Sequence, residues 1–282
     1  MPTKTAKDRR RSWWQETPKE VHRLPQGDIV CADALVFLKS LRKESADIVF
    51  LDPPFNLGKS YGNNGAKADS LTDEKYLEYM TAVINQSVHV LRTGGALYLY
   101  HIPRWAFRLA GILQPSLAFR HWIAVSMKNG FPRGNFLYPA HYALLYFTKG
   151  KPQTFKRPKI RAPRCRHCHK YIRDYGGYER FVRNGINLSD VWDDVSPVRH
   201  KKYKHRVSNE LPLSIPRRAV QISGGPGKVL VDPFVGAGTS LVAAVEKRMR
   251  FVACDIEDSF CEVTSNRLNS LRTPQAPPSG GR

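Results

Sequence analysis

The amino-acid sequence predicts a doubly wound α/β fold built around a mostly parallel β-sheet. Short apolar runs alternate with helix-like segments along most of the chain, which is the pattern of repeated βα units. Two of the apolar runs end in Asp-Pro, at 52–53 and 232–233, and a glycine-rich turn follows the second. Because ligands bind beyond the carboxyl ends of the strands in such sheets, we expect the functional residues at these two places.

The regular alternation begins in the first half of the chain. The run DIVFL at 47–51 is closed by Pro-Pro, as expected of a fully buried strand. A helix is predicted at about 72–92, beginning at Thr72 and stopping at Gly94-Gly95. The other elements predicted in this half are strands at about 28–31, 96–101, 119–127 and 141–148, and helices at about 34–43 and 104–113.

The alternation is interrupted at residues 151–206, which are rich in Pro, Gly and charged residues. This segment has sixteen Lys and Arg and five acidic residues, so it carries +11 of the total charge of +21. We interpret it as an insertion between two halves of one domain, at 25–150 and 207–271, with a basic arm at 1–24 and a disordered tail at 272–282. The elements predicted in the second half are helices at about 211–222, 239–248 and 257–270, and strands at about 228–232 and 251–255.

The charge of the chain narrows the choice of partners. Its 282 residues include 45 Lys and Arg against 24 Asp and Glu, and the isoelectric point is about 10.0. This excess favours a polyanionic partner such as nucleic acid, although ribosome-associated and other basic proteins share it. No apolar stretch is long enough to span a bilayer, and the N-terminus lacks the apolar run of a signal peptide. Five scattered cysteines do not suggest a disulfide framework, so we expect a reduced, cytoplasmic protein with no membrane partner.

The first candidate motif is Asp52-Pro53-Pro54-Phe55, directly after the predicted buried strand. Two prolines restrict the backbone, so the carboxylate, the Pro53 carbonyl and the aromatic ring are held in a rigid arrangement. The two acceptors can bind the two N–H groups of an exocyclic amine and stabilise the positive charge that develops when its nitrogen attacks. An aromatic face beside them is suited to stack on a flipped-out base. The alternative is an ordinary turn in which Asp52 is a cap.

The second candidate motif is the turn from Asp232 to Ser240, with the sequence DPFVGAGTS. Gly236 and Gly238 permit a tight turn and close approach of a ligand to the backbone, and the following helix offers N–H donors at its N-terminus. The next predicted strand ends in Asp255, seventeen residues after Gly238, where a carboxylate can accept hydrogen bonds from ribose hydroxyls. This pattern is typical of nucleoside-binding α/β units; the alternative is a glycine turn and an unrelated surface aspartate.

Together the two motifs resemble those of the β class of DNA amino-methyltransferases, in which DPPY or DPPF precedes FxGxG. This chain has DPPF at 52–55 and FVGAG at 234–238, and the resemblance covers about residues 25–270. The resemblance implies a seven-stranded, Rossmann-like methyltransferase sheet that is circularly permuted, so that the cofactor half comes last. It also implies sequence-specific methyl transfer from S-adenosylmethionine to a flipped base in double-stranded DNA, as in bacterial restriction–modification systems.

The target base is adenine N6 or cytosine N4. The Asp at position 52 favours adenine, because cytosine-N4 enzymes of this architecture usually begin the motif with Ser; Phe55 in place of the commoner Tyr keeps cytosine N4 as the alternative. The sequence has no Pro-Cys dipeptide that could supply a nucleophile, so nothing in it suggests carbon-5 methylation. Outside the enzyme class, the alternative is a non-catalytic DNA-binding protein that binds no cofactor. Members of the family are often dimers, so the resemblance implies a homodimer, associated with the nucleoid in a bacterial cytoplasm.

The resemblance also assigns roles by position. Asp52, Pro53, Pro54 and Phe55 are the expected catalytic residues. The stretch Asn209-Glu210-Leu211-Pro212 stands where the family often has Gln-Lys-Pro, and no cofactor contact is assigned to it. The expected cofactor-binding residues are Asp33 and Ala34 at the adenine, Asp255 at the ribose, and Asp232, Phe234, Gly236, Gly238, Thr239 and Ser240 around the glycine turn.

The insertion at 151–206 is the expected target-recognition segment, because its basic side chains can contact phosphates and guanine edges. A solvated basic loop is the alternative. Cys165 and Cys168 form a CxxC pair, which is one half of a typical zinc-site pattern, and His200 and His205 are a distant candidate for the other half. No second CxxC follows, and we predict no metal. The expected DNA-contacting residues are Arg157, Arg161, Arg173, Arg180, Arg183, Lys201 and Lys202.

The N-terminal arm combines Arg9-Arg10-Arg11 with Trp13-Trp14. Cations beside aromatic rings are suited to contact DNA, and exposed tryptophans are suited to pack on a partner subunit. A disordered arm is the third alternative, and the sequence does not choose among the three.

Overall fold

Apolar runs along the chain form the strands of a nine-stranded mixed sheet, and two short strands pair separately. The computed structural model describes residues 13–15, 18, 21–57, 70–126, 135, 137, 139–162, 164–165, 167–170, 182–196 and 210–271. The strands are β1 (His22–Leu24), β2 (Gly27–Cys31), β3 (Ala46–Leu51), β4 (Leu91–His101), β5 (Ala118–Ser126), β6 (His141–Thr148), β7 (Lys159–Ile160), β8 (Ile186–Asn187), β9 (Val191–Trp192), β10 (Val229–Asp232) and β11 (Arg250–Asp255). Strands β7 and β8 form the separate antiparallel pair.

Helices cover both faces of the sheet, and several begin at a residue suited to the N-terminus of a helix. The Asp33 and Thr72 side chains cap two of them, and Pro103 occupies the first turn of a third. None of the helices in the described ranges is both long and apolar enough to cross a membrane. The helices are α1 (Ala34–Ser40), α2 (Asp73–Val90), α3 (Pro103–Leu113), α4 (Ser214–Ser223), α5 (Thr239–Glu246) and α6 (Asp258–Ser270).

The strand order interleaves the two halves of the chain. The order is β1-β2-β11-β10-β3-β4-β6-β5-β9. Strands β2, β11, β10, β3 and β4 are parallel, and β6 runs antiparallel to both β4 and β5. The C-terminal unit β10-α5-β11 therefore lies between two strands from the N-terminal half. The predicted circular permutation is confirmed, with β1 and β9 as short additions at the edges.

Two hydrophobic cores lie on opposite faces of the sheet. Helices α1, α2 and α3 pack on one face, where residues such as Phe37, Met80 and Leu109 are fully buried. Helices α4, α5 and α6 pack on the other face, with residues such as Ile215 and Leu241. This three-layer arrangement is the doubly wound architecture that the alternating elements predict.

The glycine pair at 94–95 lies within a strand and does not end the preceding helix. Helix α2 ends at Val90, and β4 begins at Leu91. The register between β3 and β4 shifts in this region, so that the residues around Gly94 bulge out of the ladder. Gly94 has φ +79°, and a Cβ atom there would lie 2.5 Å from the Gln153 side chain. The glycines therefore permit a bulge. The helix predicted at about 72–92 is found at Asp73–Val90, and only the interpretation of Gly94-Gly95 as its stop was wrong.

Two tryptophans of the predicted N-terminal arm belong to the core of the domain. Trp13 and Trp14 are each 3% exposed. The Trp14 ring meets Phe37 edge-on at 6.0 Å, and its indole N–H donates to the Asp28 carboxylate at 3.2 Å. This packing against the chain itself differs from all three alternatives for the arm, whose residues 9–11 lie outside the described part of the chain.

The described ends of the insertion are fixed to the main sheet. Strand β9 adds to the sheet edge parallel to β5, and its Trp192 is buried. Arg218 of α4 pairs with Asp194 through both guanidinium nitrogens and lies 5.0 Å above the Trp192 ring. On the other side, the Lys156 N–H donates to the Ile222 carbonyl at 2.9 Å. The described parts of this segment are therefore held to the main sheet and to α4.

We predict that Trp14→Ala destabilises the whole domain, because it empties a buried indole site and leaves the Asp28 carboxylate without that donor. The expected loss is about 3–5 kcal/mol of unfolding free energy, measured by urea denaturation. Phe107→Ala is the matched control, since Phe107 is 78% exposed and its removal is expected to cost under about 0.5 kcal/mol. Equal losses in the two variants would show that the arm is not part of the core.

Candidate active site

The two motifs open into one cleft at the carboxyl edge of the sheet. Asp52 directly follows β3, and Asp232 is the last residue of β10. These strands are adjacent and parallel, with Val49 opposite Val231, so their ends reach the same edge. The cleft contains about 280 Å³ of empty space, part of it open to solvent. Its lining residues are Asp52, Glu210, Leu211, Asp232, Phe234, Val235, Gly236, Ala237, Thr239 and Ser240.

The glycine turn has a backbone shape that few other residues permit. Gly236 has φ +49° and Gly238 has φ +76°, both in the left-handed region. A Cβ atom on Gly238 would lie 2.5 Å from the Thr264 methyl group. The Thr264 hydroxyl donates to the Gly236 carbonyl at 2.7 Å, which ties the turn to helix α6. The turn therefore presents backbone to the cleft, as the sequence predicts.

Two of the predicted cofactor aspartates accept hydrogen bonds from the glycine turn itself. Asp232 is 2% exposed and accepts from the Phe234 N–H at 2.9 Å and from the Ser240 hydroxyl. Asp255 accepts from the Gly236 N–H at 2.8 Å, joining β11 to the turn. These carboxylates shape the site from behind, whichever ligand atoms they also contact.

The predicted adenine-binding residues lie at the neighbouring strand end. Asp33 caps α1 by accepting from the Leu35 and Val36 N–H groups, and Ala34 is the first residue of that helix. The Ala32 N–H donates to the Asp255 carbonyl at 2.9 Å. The structure thus brings Asp33, Ala34 and Asp255 to one place, beside the glycine turn.

An ion pair that the sequence reasoning missed supports the turn from outside. One guanidinium nitrogen of Arg267 lies 2.7 Å from the Ala237 carbonyl, 3.1 Å from the Glu210 carboxylate and 3.3 Å from the Thr239 hydroxyl. Glu210 is 9% exposed, so this contact is shielded from solvent. Glu210 occupies the stretch to which the resemblance gives no cofactor contact, and its place in the cleft lining is visible only in the folded chain.

Aromatic side chains surround the first motif. The Phe55 ring stacks on His101 with centroids 4.8 Å apart, and it lies 5.9 Å from Tyr100 and 5.8 Å from Tyr142. Burial, and then the negative charge of Asp52, raise the pKa of both tyrosines, so Asp52 lies on the same side of the motif. The sequence analysis did not predict the rings of Tyr100, His101 and Tyr142 at this site. Tyr100 and His101 were detectable, because they are the last residues of a predicted strand.

An amide side chain joins two described residues beside the first motif. Asn56 adopts a left-handed backbone with φ +53°. Its side chain donates to the Leu71 carbonyl at 2.9 Å and accepts from the Leu71 N–H at 2.8 Å. Asn56 and Leu71 are therefore held together directly beside the Asp52–Phe55 motif.

The predicted DNA-contacting residues are partly visible. Arg157, Arg161 and Arg183 are exposed, and the Arg157 guanidinium lies 5.8 Å from the centre of the Phe155 ring. Their exposure is compatible with contact to a polyanion. The other four predicted residues, Arg173, Arg180, Lys201 and Lys202, lie outside the described residues.

The cysteine pair of the insertion forms a tight turn. The Cys165 N–H donates to the Lys170 carbonyl at 2.8 Å, and the His169 N–H donates to the Cys165 carbonyl at 3.0 Å. Backbone hydrogen bonds from Cys168 and His167 lower the pKa of the Cys165 thiol. Within the described ranges, no group of three or more potential metal ligands comes together, while His200 and His205 lie outside those ranges.

The cleft is acidic although the chain is strongly basic. Asp52, Glu210 and Asp232 line it, whereas the chain as a whole carries +21. Carboxylates concentrated in a cleft favour a cationic ligand and disfavour phosphate groups. The residues therefore fit a sulfonium cofactor in the cleft and a nucleic acid along the basic surfaces outside it.

Comparison with known proteins agrees with this geometry. Residues 46–266 match the DNA methylase family. The chain belongs to this family. It is 39% identical over 246 residues to the type II methyltransferase M.BamHI of Bacillus amyloliquefaciens, covering 86% of this chain and 57% of that protein. The chain thus spans a little over half the length of M.BamHI.

Solved structures show the same fold at low sequence identity. A complex of M1.HpyAVI with S-adenosylmethionine superimposes with a TM-score of 0.56 and 19% identity, covering 86% of this chain and 98% of that one. The cytosine-N4-specific PvuII DNA methyltransferase gives a TM-score of 0.63 and 13% identity, covering 86% of each chain. The predicted fold class and the resemblance to amino-methyltransferases are both confirmed.

We predict that Asp232→Asn makes the cofactor-free protein less sensitive to alkaline pH. Burial raises the pKa of the Asp232 carboxyl to about 7, while the hydrogen bonds from Ser240 and Phe234 oppose the rise. The folded state therefore holds a proton that the unfolded state releases near pH 4, so the wild type loses stability as pH rises from about 4 to 7. Asparagine does not ionise: its side-chain oxygen can accept from the Phe234 N–H, and its amide N–H can donate to the Ser240 oxygen in the reverse direction.

The measurement is the thermal unfolding temperature of both proteins at about pH 5 and about pH 8. Between about pH 5 and about pH 8, the stability of the variant relative to the wild type is expected to increase. The increase is at most about 1.4 kcal/mol for each unit by which the pKa of Asp232 is raised. A constant difference at the two pH values would contradict the raised pKa.

Proposed function

We propose that this protein transfers a methyl group from S-adenosylmethionine to the exocyclic amino nitrogen of a base in double-stranded DNA. The observation that carries the proposal is the shared cleft, which is lined by Asp52 at the end of β3 and by the glycine turn at the end of β10. The family match supports the same reaction. A non-catalytic DNA-binding role gives no reason for an acidic cleft beside a glycine turn.

The chain's own residues supply the acceptors that the reaction needs. An exocyclic amine is a poor nucleophile, because its lone pair is delocalised into the base. The Asp52 carboxylate and the Pro53 carbonyl accept its two N–H groups, which favours a pyramidal nitrogen and stabilises the positive charge that develops during attack. Asp52 is also suited to receive the proton that the nitrogen loses. Bound S-adenosylmethionine supplies an electrophilic methyl group at its sulfonium.

The proposed cofactor contacts follow from where the residues lie. Asp33 and Ala34 are placed to meet the adenine and Asp255 the ribose, while the turn containing Gly236 and Gly238 takes the methionine part. The N-terminus of α5 at Thr239 adds N–H donors suited to a carboxylate. Phe234, Asp232 and Ser240 complete the wall of this part of the cleft.

The target base is proposed to be adenine N6, with cytosine N4 as the second candidate. Asp52 at the head of the motif favours adenine, because Ser is the usual first residue in cytosine-N4 enzymes. Phe55 favours cytosine N4 more than tyrosine would, and the PvuII enzyme that shares this fold is cytosine-specific. Phe55, Tyr100 and Tyr142 provide aromatic faces for either base once it is flipped from the duplex.

The biological setting is proposed from the relatives. M.BamHI is a type II methyltransferase, which supports a role in restriction–modification and a sequence-specific target. A homodimer would suit a palindromic site. A bacterial cytoplasm, with the protein near the nucleoid, is the setting in which such an enzyme meets its DNA.

The deciding experiment is digestion of modified DNA to nucleosides. The purified protein is incubated with unmodified genomic DNA and isotopically labelled S-adenosylmethionine, and the methylated nucleoside is identified by mass spectrometry. N6-methyldeoxyadenosine supports the first candidate and N4-methyldeoxycytidine the second. If the folded protein binds the cofactor but no isotopic label is incorporated into DNA, the proposed reaction is wrong.

We predict that Asp52→Ala reduces kcat by at least about 10³-fold, because it removes one of the two acceptors proposed to bind the base amine. Binding of S-adenosylmethionine, measured by calorimetry, is expected to remain within about fivefold of wild type, since Asp52 contacts the base. Asp52→Asn is the matched variant: it keeps one oxygen acceptor but not the charge, so its kcat is expected to lie between those of Asp52→Ala and wild type. Substantial methylation by Asp52→Ala would exclude the role given to Asp52.

We predict that replacing Arg157, Arg161 and Arg183 together with alanine weakens DNA binding at least about tenfold at moderate salt. The dependence of log K on log salt is expected to become less steep by about 0.9 for each phosphate that the variant no longer neutralises. Fluorescence anisotropy over a salt series measures both effects. Arg217→Ala is the control, because its guanidinium is held by Glu246 at 2.8 and 2.6 Å. An unchanged salt slope in the triple variant would contradict a DNA contact here.

A further inference from the structure

The Asp52–Phe55 motif has few backbone donors with which to hold its shape. Pro53 and Pro54 have no N–H groups, so at the centre of the loop only carbonyl oxygens are left through which the domain can fix the backbone. One of these carbonyls, at Pro54, accepts a hydrogen bond of 2.6 Å from the Tyr76 hydroxyl. Tyr76 lies in the first turn of α2 and is 1% exposed.

The Tyr76 hydroxyl is itself oriented by His101, the last residue of β4. The Nε2 atom of His101 lies 2.7 Å from the Tyr76 oxygen. The other ring nitrogen, Nδ1, accepts from the Ile102 N–H at 2.9 Å. Because Nδ1 is an acceptor, a neutral imidazole carries its proton on Nε2 and donates to Tyr76. The Tyr76 proton must then point at the Pro54 carbonyl.

The surroundings of His101 keep it neutral. The residue is fully buried, and the rings of Phe55, Tyr76 and Trp105 pack around it at centroid distances of 4.8, 5.9 and 6.3 Å. Burial lowers the pKa of the imidazole to about 3. His101 therefore stays neutral near neutral pH, and each hydrogen bond from the Ile102 N–H through His101 and Tyr76 to the Pro54 carbonyl keeps its direction.

We propose that His101 and Tyr76 are positioning residues that hold the acceptor loop in the geometry required for methyl transfer. Their chain of hydrogen bonds runs from the Ile102 N–H through His101 and Tyr76 to the Pro54 carbonyl, and the His101 ring supports Phe55 from behind. Fixing the peptide after Pro54 leaves the Pro53 carbonyl and the Asp52 carboxylate to meet the base amine. This inference rests on the proposed function, and it applies equally to adenine and cytosine.

Four variants separate positioning from general stability. Tyr76→Phe removes the central hydroxyl, and His101→Phe keeps a ring against Phe55 but removes both hydrogen bonds. His101→Gln is the conservative variant, because its amide N–H can reach the position of Nε2 and donate to Tyr76. Tyr98→Phe is the matched control: Tyr98 is fully buried on the opposite face of β4, and its hydroxyl lies 2.8 Å from the Ser223 hydroxyl.

Tyr76→Phe and His101→Phe are expected to lower kcat by about tenfold or more, since small displacements of reacting groups cost rate steeply. The KM for S-adenosylmethionine is expected to stay within about twofold, because the cofactor half is untouched. His101→Gln is expected to recover most of the kcat that His101→Phe loses, and Tyr98→Phe to stay within about twofold of wild type. Melting temperatures and cofactor binding show whether each variant is folded.

Several results would overturn the proposal. The positioning role would be rejected if Tyr76→Phe had the same kcat as Tyr98→Phe. It would also be rejected if the kcat of His101→Gln were as low as that of His101→Phe. Either result would leave the proposed function intact. A wild-type chain that methylates no DNA would instead reject the proposed function, and the role of the pair with it. Nitrogen-15 NMR of the wild type gives a readout without mutation: an imidazole that titrates between about pH 5 and 8, or carries its proton on Nδ1, contradicts the arrangement.

Discussion

The parallel pairing of β3 with β10 is the constraint on which the rest of the site depends. The register places Ile48 opposite Leu230 and Val49 opposite Val231, so both strands end at the same edge within a few residues of each other. Asp52 and Asp232 are 180 positions apart in the chain, yet they line one cleft because of this register. A slip of one residue would turn every side chain of β10 to the opposite face and separate the two motifs. The apolar residues of both strands, fully buried on both faces, make such a slip costly.

The cleft concentrates negative charge in a chain that is otherwise basic, and carboxyls at this edge of the sheet also shape its turns. Asp33, Asp232 and Asp255 accept hydrogen bonds from backbone N–H groups and so shape the turns at three neighbouring strand ends. Burial is the main cause of the raised pKa of Asp232, and the negative charges of Asp52 and Asp255 add to it. The carboxyls that shape the turns therefore lie close enough for their charges to interact.

The sequence predicted the features that depend on local pattern. The alternation of apolar runs predicted the strands, the resemblance carried by DPPF and FVGAG implied their permuted order, and the same two motifs predicted both walls of the cleft. Contacts between distant segments were not predictable in this way: Arg267 reaches Glu210 across 57 positions and the glycine turn across 30, and Trp14 reaches Asp28 from a segment that resembles a basic arm. The bulge at Gly94 was misread as a helix stop, because glycine has the same local signature in both settings. Burial of a polar or aromatic residue is decided by tertiary packing, which one sequence does not display.

The proline pair explains why so many residues outside the motif are needed to build it. Proline gives the loop a restricted backbone, but it also removes two N–H donors through which a domain normally holds a turn. The fold compensates with donors that approach from elsewhere in the chain, namely the Tyr76 hydroxyl at the Pro54 carbonyl and the Leu71 N–H at the Asn56 side-chain oxygen. Rings of Phe55, His101 and Tyr142 then fill the space that a hydrogen-bonded backbone would occupy elsewhere. The shape of the Asp52–Phe55 loop is therefore fixed by α2, β4 and β6 as much as by its own four residues.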